Sequence, residues 1–566
     1  MKVLLVYPYF LEARIHAEEI AAVPMGVYYI GAVLKAHGHS VEIVNWHRRP
    51  DSQDVLREAL ISCRPDIIGF SIVHANRWGG IDIARLAKQI DPQVPVVFGG
   101  IGATFLWRHL LTHFTDIDYV VLGEGEYSFL HLVEALEHRQ PMEKVSTIPG
   151  LALRIGDDLF RTAAAEPVRD LDSLPSPATY FDFQHLSITR GCPGRCSFCG
   201  SPRFWGRRVR AHSATYFVDQ LILLARRGGR FFFFSDDTFT LNSDLVIEIC
   251  RKIIEAGLDI RWQAISRVSA VNDRMLRWMR KAGCVQISYG VESGSQRIRR
   301  LLCKDISTKQ IEQAFALTTA NGILARAYFI YGAPTESWKT IEQSLELIRR
   351  IRPLSAIFYI MTLFPGTALY DDLKERTGID DDIWLRRIED ILYFEHDPEM
   401  DQALIRDFGR HLRSAYHRLL PQFAQRIELK KEPDLTKHQA GFLSRLGMTF
   451  SHGDYAAINS AIDTTQVALE LYKRALSLYP DHRAYWGMAM VYQRQARWDQ
   501  AVAILNTGLA HFPKSEALAI GMGVSLMRTA QYRQALEYLL PHARSKQAAP
   551  YIERCRRELD RTYTHH

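Results

Sequence analysis

The chain has 566 residues, 47% hydrophobic and 23% charged, an ordinary balance for a soluble globular protein. Its net charge of +7 is the small excess of 70 basic over 63 acidic side chains, so nucleic acid is not an expected partner. Eight cysteines over this length, three of them in one loop, exclude a disulfide framework and fit a reducing cytoplasm.

The length predicts about three or four domains, each able to bury a core. No run approaches 18 apolar residues, so no membrane span is expected. Met1 to Val6 is too short for the apolar region of a signal peptide and reads as a strand. The arginine pairs Arg207-Arg208 and Arg299-Arg300 read as solvated helix faces rather than phosphate sites.

Residues 1–140 alternate strand and helix signals. Val3–Tyr7, Ser40–Asn45, Asp66–Ile72, Pro95–Phe98 and Tyr119–Leu122 are compact apolar runs suited to buried parallel strands. Helical spacing over Gly26–His37 and Ile81–Ile90 falls between them. This pattern predicts a doubly wound, Rossmann-like α/β domain with its ligand beyond the carboxyl ends of the strands. Those ends carry Ser71-Ile72-Val73-His74, Gly99-Gly100-Ile101-Gly102-Ala103-Thr104 and Gly123-Glu124-Gly125-Glu126. No G-x-G-x-x-G follows the first strand, so a dinucleotide site is poorly supported.

Residues 141–184 hold prolines at 149, 167, 175 and 177 and read as an irregular linker. Residues 185–400 then repeat strand and helix six times. The strands are expected to start at Leu186, Phe231, Ile260, Val285, Ala325 and Ala356. Six βα units predict a partial TIM-like barrel, with its chemistry on the loops after the strands. The first loop holds Cys192, Cys196 and Cys199, spaced C-x3-C-x2-C. Three thiolates so close select zinc, copper(I) or an iron–sulfur cluster. A cubane cluster usually takes four cysteines, so three would leave one iron open for chemistry. The other reading is a zinc knuckle completed by His185 or His212.

The cysteine motif resembles the signature of the radical S-adenosylmethionine (SAM) enzymes, whose [4Fe-4S] cluster chelates SAM through its open iron. The resemblance implies SAM contacts from Asp236 and Asp237, Arg267 and Glu292. These lie in the strand-end motifs Asp236-Asp237-Thr238-Phe239, Ser266-Arg267-Val268 and Gly290-Val291-Glu292-Ser293-Gly294. Residues 1–140 resemble the cobalamin-binding domain found upstream of many such enzymes. The matching features are Pro24-Met25-Gly26-Val27-Tyr28-Tyr29, Gly99-Gly100 with Ala103-Thr104, and Gly123-Glu124-Gly125-Glu126. Cobalamin contacts are then expected from Pro24, Gly26, Ser71, Gly99, Gly100, Thr104, Gly123 and Glu124. The D-x-H-x-x-G motif of a histidine lower ligand is missing, and Gly102 stands where many relatives have histidine. His74 reads as a packing residue, so cobalamin is expected without a protein histidine on cobalt.

Residues 401–455 read as a helical connector. In 456–566, alanines 468, 501 and 535 recur at 33 and 34 residues, and Gly487 recurs as Gly521, a spacing that resembles all-α tetratricopeptide repeats. Stacked helix pairs of that kind present a concave surface for a protein partner.

The function expected from the resemblance is methyl transfer from methylcobalamin to an unactivated carbon or phosphorus centre, through a 5′-deoxyadenosyl radical. A one-electron reductant such as a ferredoxin or flavodoxin would serve it. The alternatives are a cobalamin-dependent rearrangement, cyclisation or oxidation without methyl transfer, and a zinc-loop scaffold that only binds protein. The substrate, whether metabolite, lipid or peptide, is not encoded in any motif.

Overall fold

A computed structural model describes residues 1–12, 14, 22–48, 52–456 and 464–564. The chain divides into two compact units. One comprises Met1–Ala314, Ala327–Leu347 and Ile357–Leu412; the other comprises Phe315–Arg326, Ile348–Ala356 and Arg413–His566.

The first sheet contains β1 (Lys2–Tyr7), β2 (Ser40–Asn45), β3 (Ile67–Ser71), β4 (Val96–Gly99), β5 (Tyr119–Val121), β6 (Leu151–Ile155) and β7 (Asp158–Arg161). Their order is β2-β1-β3-β4-β5-β6-β7, parallel through β5 and antiparallel beyond it. The chain therefore reverses direction across the sheet between β1 and β3, the place where such sheets open a ligand crevice. The stretch 141–184 is not wholly irregular. Leu151, Ala152 and Leu153 are buried and extend the sheet, and Gly156, at φ 61°, turns the chain back into β7. That strand is too short for its alternation to stand out among the prolines.

Alternate residues of β1 enter two cores. Val3, Leu5 and Tyr7 pack with Val27, Val33 and Phe129, whereas Leu4 and Val6 pack with Ile81, Phe98 and Leu106. The second core does not stop at the first domain. It runs on through Ile298, Leu302, Leu363, Tyr370 and Trp384, so the two α/β modules of this unit share one hydrophobic interior.

The second module opens with β8 (His185–Leu186) and the short pair β9 (Thr189–Arg190) and β10 (Arg210–Ala211). It continues with β11 (Phe231–Phe234), β12 (Arg261–Ser266), β13 (Cys284–Glu292), β14 (Leu324–Tyr331) and β15 (Ser355–Ile360). The order β15-β14-β13-β12-β11-β8 follows the chain step by step, as in a partial barrel of six strands.

In the other unit, helices Thr436–Ser451, Thr464–Leu478 and His482–Arg494 pack around Tyr472. A Cβ at Gly487 would meet its ring at 2.2 Å, and one at Gly447 at 2.7 Å. The helix Thr436–Ser451, expected as part of a connector, thus packs as a member of the helical stack.

Two buried polar contacts position the cysteine loop. Asp236, just past β11, is 1% exposed. Its Oδ1 accepts hydrogen bonds from the backbone N–H groups of Ile188 (3.0 Å) and Thr189 (2.6 Å) and from the Ser187 and Thr189 hydroxyls. Arg190, two residues before Cys192, donates to Glu124 at 2.9 Å and to Glu126 at 2.6 Å, and Arg210 also donates to Glu124 at 3.0 Å. The Arg190, Glu124 and Glu126 side chains are 7%, 6% and 3% exposed. The guanidinium lies 5.2 Å from the Tyr29 ring and 5.3 Å from that of Trp205.

Removing one partner of a buried ion pair leaves its counter-charge desolvated, at a cost of about 3–5 kcal/mol. Arg190→Met is therefore expected to lower the urea midpoint of the first unfolding transition; an unchanged midpoint would show that the pair holds nothing. Burial pushes the Asp236 carboxyl up to about 6, above its unfolded-chain value. The folded protein thus binds this proton more tightly. The associated stability, about 3 kcal/mol, is complete below the unfolded value and is lost as pH rises through about 6. Unfolding measured from pH 4 to 7 should show this slope, and Asp236→Asn should flatten it.

Candidate functional site

The cysteine loop leaves β9 through Gly191, whose φ of 106° places a would-be Cβ 2.7 Å from the Arg208 carbonyl oxygen. Its far side is fixed by backbone bonds from Ser197 N–H to Leu302 C=O (3.0 Å) and from Leu369 N–H to Ser197 C=O (2.8 Å). Cys192 is buried, and Cys196 and Cys199 are half-buried. Burial pushes the Cys199 thiol up to about 11, with the neighbouring Asp237, Cys196 and Cys192 adding to the shift. The three thiols thus sense one another across one loop. Three neighbouring cysteines suit a cubane, whose cysteines bind different irons.

Both histidines expected to complete a zinc site are committed elsewhere. His185 Nδ1 pairs with Ser235 Oγ at 2.8 Å, and its ring stacks on Phe233. His212 bridges Tyr29 OH (2.9 Å) and Asp172 (3.0 Å). His212, with both ring nitrogens engaged, offers a zinc knuckle no fourth ligand.

Around the sulfurs the charge is mixed. Arg267 hydrogen-bonds the Cys196 thiol, and Lys304 and Arg267 both favour its thiolate, although burial outweighs them and raises it. Lys304 is buried and donates to Glu292 Oε1 at 2.7 Å. Glu292 sits at φ 63°, a left-handed conformation that costs a non-glycine residue about 1 kcal/mol or more. Glu292, for which the resemblance implies a SAM contact, turns one of its oxygens to a buried ammonium.

The adjacent aspartates divide their work. Asp236 spends Oδ1 on the loop, and its Oδ2 is buried with no protein partner. Asp237 accepts from the Ser201 hydroxyl and faces two cavities. Sequence reasoning treated the two as one pair and missed the clamp, because a strand-end motif does not say which side chain turns inward.

A cavity of about 280 Å³ lies over the ends of β1, β3, β4 and β5. Pro24, Gly26, Ser71, Gly99, Gly100, Gly123 and Glu124 line it. Gly100, at φ 91°, admits no Cβ, since one would meet the Ile72 carbonyl oxygen at 2.9 Å. Thr104 is absent from the lining; its Oγ1 accepts from Gly123 N–H at 3.0 Å and shapes the wall from behind. Glu124 lines the cavity while its carboxylate is held by Arg190 and Arg210. His74 packs edge-on against Phe364, with ring centroids 4.4 Å apart, and burial pulls its imidazole down to about 3. It does not line this cavity.

The opposite wall of the same cavity comes from the second module: Ser201, Phe204, Trp205 and Asp237. Sequence reading missed the first three. The available signal was an aromatic pair five residues beyond Cys199. A second cavity of about 380 Å³ continues past Pro24, Gly26 and Tyr29 to Ser187, Thr189, Ser235 and Asp237. The depth between β1, β3 and helix Met25–Ala36, lined by Leu5, Val27, Ile30 and Phe129, is apolar and suits a flat heteroaromatic group.

Comparison with known proteins agrees with this arrangement. Residues 186–348 match the radical SAM superfamily, 20–133 the B12 binding domain and 464–521 a tetratricopeptide repeat. The chain is 30% identical over 383 residues to an uncharacterized methyltransferase from Pyrococcus horikoshii, covering 66% of this chain and 83% of that one. It is 28% identical over 400 residues to the anaerobic magnesium-protoporphyrin IX monomethyl ester cyclase of Rubrivivax gelatinosus, covering 67% and 71%. In fold it resembles the cobalamin-dependent S-adenosylmethionine radical enzyme OxsB, at 14% identity and a TM-score of 0.58 over 98% of this chain and 83% of that one. It also resembles the radical S-adenosylmethionine methyltransferase TsrM from Kitasatospora setae, at 21% and 0.57 over 67% and 76%. With three cysteines on one loop and a strand-end cavity close to them, the chain belongs to the radical SAM enzymes that carry an amino-terminal B12-binding domain.

Proposed function

We propose that the protein is a cobalamin-dependent radical SAM methyltransferase acting on an unactivated carbon or phosphorus centre. The carrying observation is that one cavity joins the strand ends of the first module to Ser201, Phe204, Trp205 and Asp237, close behind Cys199. When bound, the cluster supplies the electron that splits SAM into methionine and a 5′-deoxyadenosyl radical, and cobalamin carries the methyl group.

In this reading Cys192, Cys196 and Cys199 hold the cluster. Asp237, Arg267 and Glu292, with the free oxygen of Asp236, orient SAM: carboxylates for its ammonium and ribose, the guanidinium for its carboxylate. Pro24, Gly26, Ser71, Gly99, Gly100, Gly123 and Glu124, with Thr104 behind them, shape the cobalamin site. Phe204 and Trp205 cover the cavity and exclude water. Domains at 1–140, 185–400 and 456–566 would carry cobalamin, SAM chemistry and a protein contact in turn, with the hairpin of β6 and β7 assigned to the first.

The likeness to a cyclase, nearly as high as that to a methyltransferase, favours a second reading without methyl transfer. Product analysis separates the two. Anaerobic turnover should yield S-adenosylhomocysteine and 5′-deoxyadenosine in equal amounts; 5′-deoxyadenosine alone would overturn methyl transfer. Cys196→Ala should abolish both products and strip the iron, about four atoms per chain in the reconstituted enzyme.

We assign the reductant a seat against the cysteine loop. Arg195, Arg207 and Arg300 line a cavity of about 840 Å³ against the cysteine loop, with Asp305 the one acid in its lining. Two arginine clusters far apart in sequence thus meet beside the thiols, and an acidic one-electron donor of the ferredoxin or flavodoxin type complements them. Donor-driven SAM cleavage should fall about tenfold or more as salt rises through the screening range, and again in Arg195→Glu/Arg300→Glu. Cleavage driven by dithionite should not change. Equal loss with both reductants would refute docking there.

A further inference from the structure

The helix Ile101–His113 runs from the rim of the cobalamin cavity and carries a second group of ligating side chains near its far end. His109 and His113 stand one turn apart on one face, with ring centroids 4.6 Å apart. Asp382, from the short 3-10 segment Asp381–Leu385, approaches them from the second module, and its Oδ1 lies 3.5 Å from His113 Nε2. One ligand atom from each of the three falls within 4.8 Å of the others. His109 is 7% exposed, and its Nε2 is fully buried with no hydrogen-bond partner. An unpaired buried imidazole nitrogen costs free energy that nothing in the protein repays.

We propose that His109, His113 and Asp382 form a binding site for one divalent first-row transition ion of the zinc class. Two imidazoles at i and i+4 with a carboxylate from another element are suited to such an ion. Three protein ligands leave the fourth position to water. Ligand atoms about a tetrahedral zinc stand roughly 3.3 Å apart, so closure requires side-chain movements of about 1 Å. The charge around the site permits this. Asp381 is already engaged by Tyr370 and Lys374, leaving Asp382 as the carboxylate for the ion. Arg77, whose charge acts on His109, directs its guanidinium into the carbonyl oxygens of His74, Trp384, Arg386 and Glu389.

The ion would staple the cobalamin-domain helix to the segment whose carbonyls hold Arg77, bracing the junction without touching the reacting atoms. The site is independent of the proposed reaction. The test uses the full chain with its cluster reconstituted, so that the loop cysteines are occupied, and zinc alone as the probe. Wild type should retain one zinc per chain against a weak chelator and unfold at a higher temperature with zinc than without. The double variant His113→Gln/Asp382→Asn, changed only at accessible positions, should bind at least about a hundredfold more weakly and lose the thermal shift. His109→Gln should do the same. Equal zinc retention in the double variant, or none in wild type at micromolar zinc, would overturn the site.

Discussion

The geometry of the active region depends on burying two arginines and two glutamates together. Arg190 and Arg210 meet Glu124 and Glu126 out of water, with the Arg190 guanidinium also against the rings of Tyr29 and Trp205. Such a cluster adds little net stability, because desolvation offsets most of the attraction. Its consequence is registry. Each charge is tolerable only where the others are, so the Gly123–Glu126 turn has one permitted position relative to Arg190 and hence to Cys192. The cavity and the cysteine loop are two readouts of that single constraint.

The shared hydrophobic interior supports the same conclusion by other means. Apolar residues of β1, β3 and β4 lie in one cluster with Ile298, Leu302, Leu363 and Trp384 from the barrel. Separating the modules would expose this surface, at about 25 cal/mol for every square ångström. A cavity walled by both modules therefore keeps its shape without a ligand, and binding need not supply the cost of ordering it.

Much of this was legible in the sequence. Buried parallel strands announce themselves as continuous apolar runs, so five strands of the first sheet and all six of the barrel were visible, as was the cysteine spacing. The hairpin β6–β7 was not, because two short strands among prolines lack the length for a period to emerge. Nor was the role of Asp236. Its motif places it at a strand end, but whether it faces a ligand or a loop depends on backbone N–H groups 47 and 48 residues earlier in the chain. The arginine pairs read as solvated faces; Arg299 is instead fully buried, donating to Ser293 C=O, while Arg300 opens onto a cavity. One-dimensional charge runs cannot distinguish those fates.

The turn Pro365-Gly366-Thr367 shows how closely the modules are fitted. Gly366 lies at φ 72°, and a Cβ there would fall 2.3 Å from the Phe105 ring. Phe105 belongs to helix Ile101–His113, and its ring also stands 3.5 Å from where a Cβ on Gly200 would be, next to Cys199. Gly366, after the sixth barrel strand, thus makes room for an aromatic side chain of the cobalamin domain, whose ring then lies in ordinary contact with the end of the cysteine loop. Any side chain at Gly366 must displace that ring, and the ring's other neighbour is the loop carrying the sulfurs. A residue with no polar atom and no place in any motif therefore links the rim of the strand-end cavity to the cysteine loop, which is why packing, as much as the polar contacts, sets the position of one against the other.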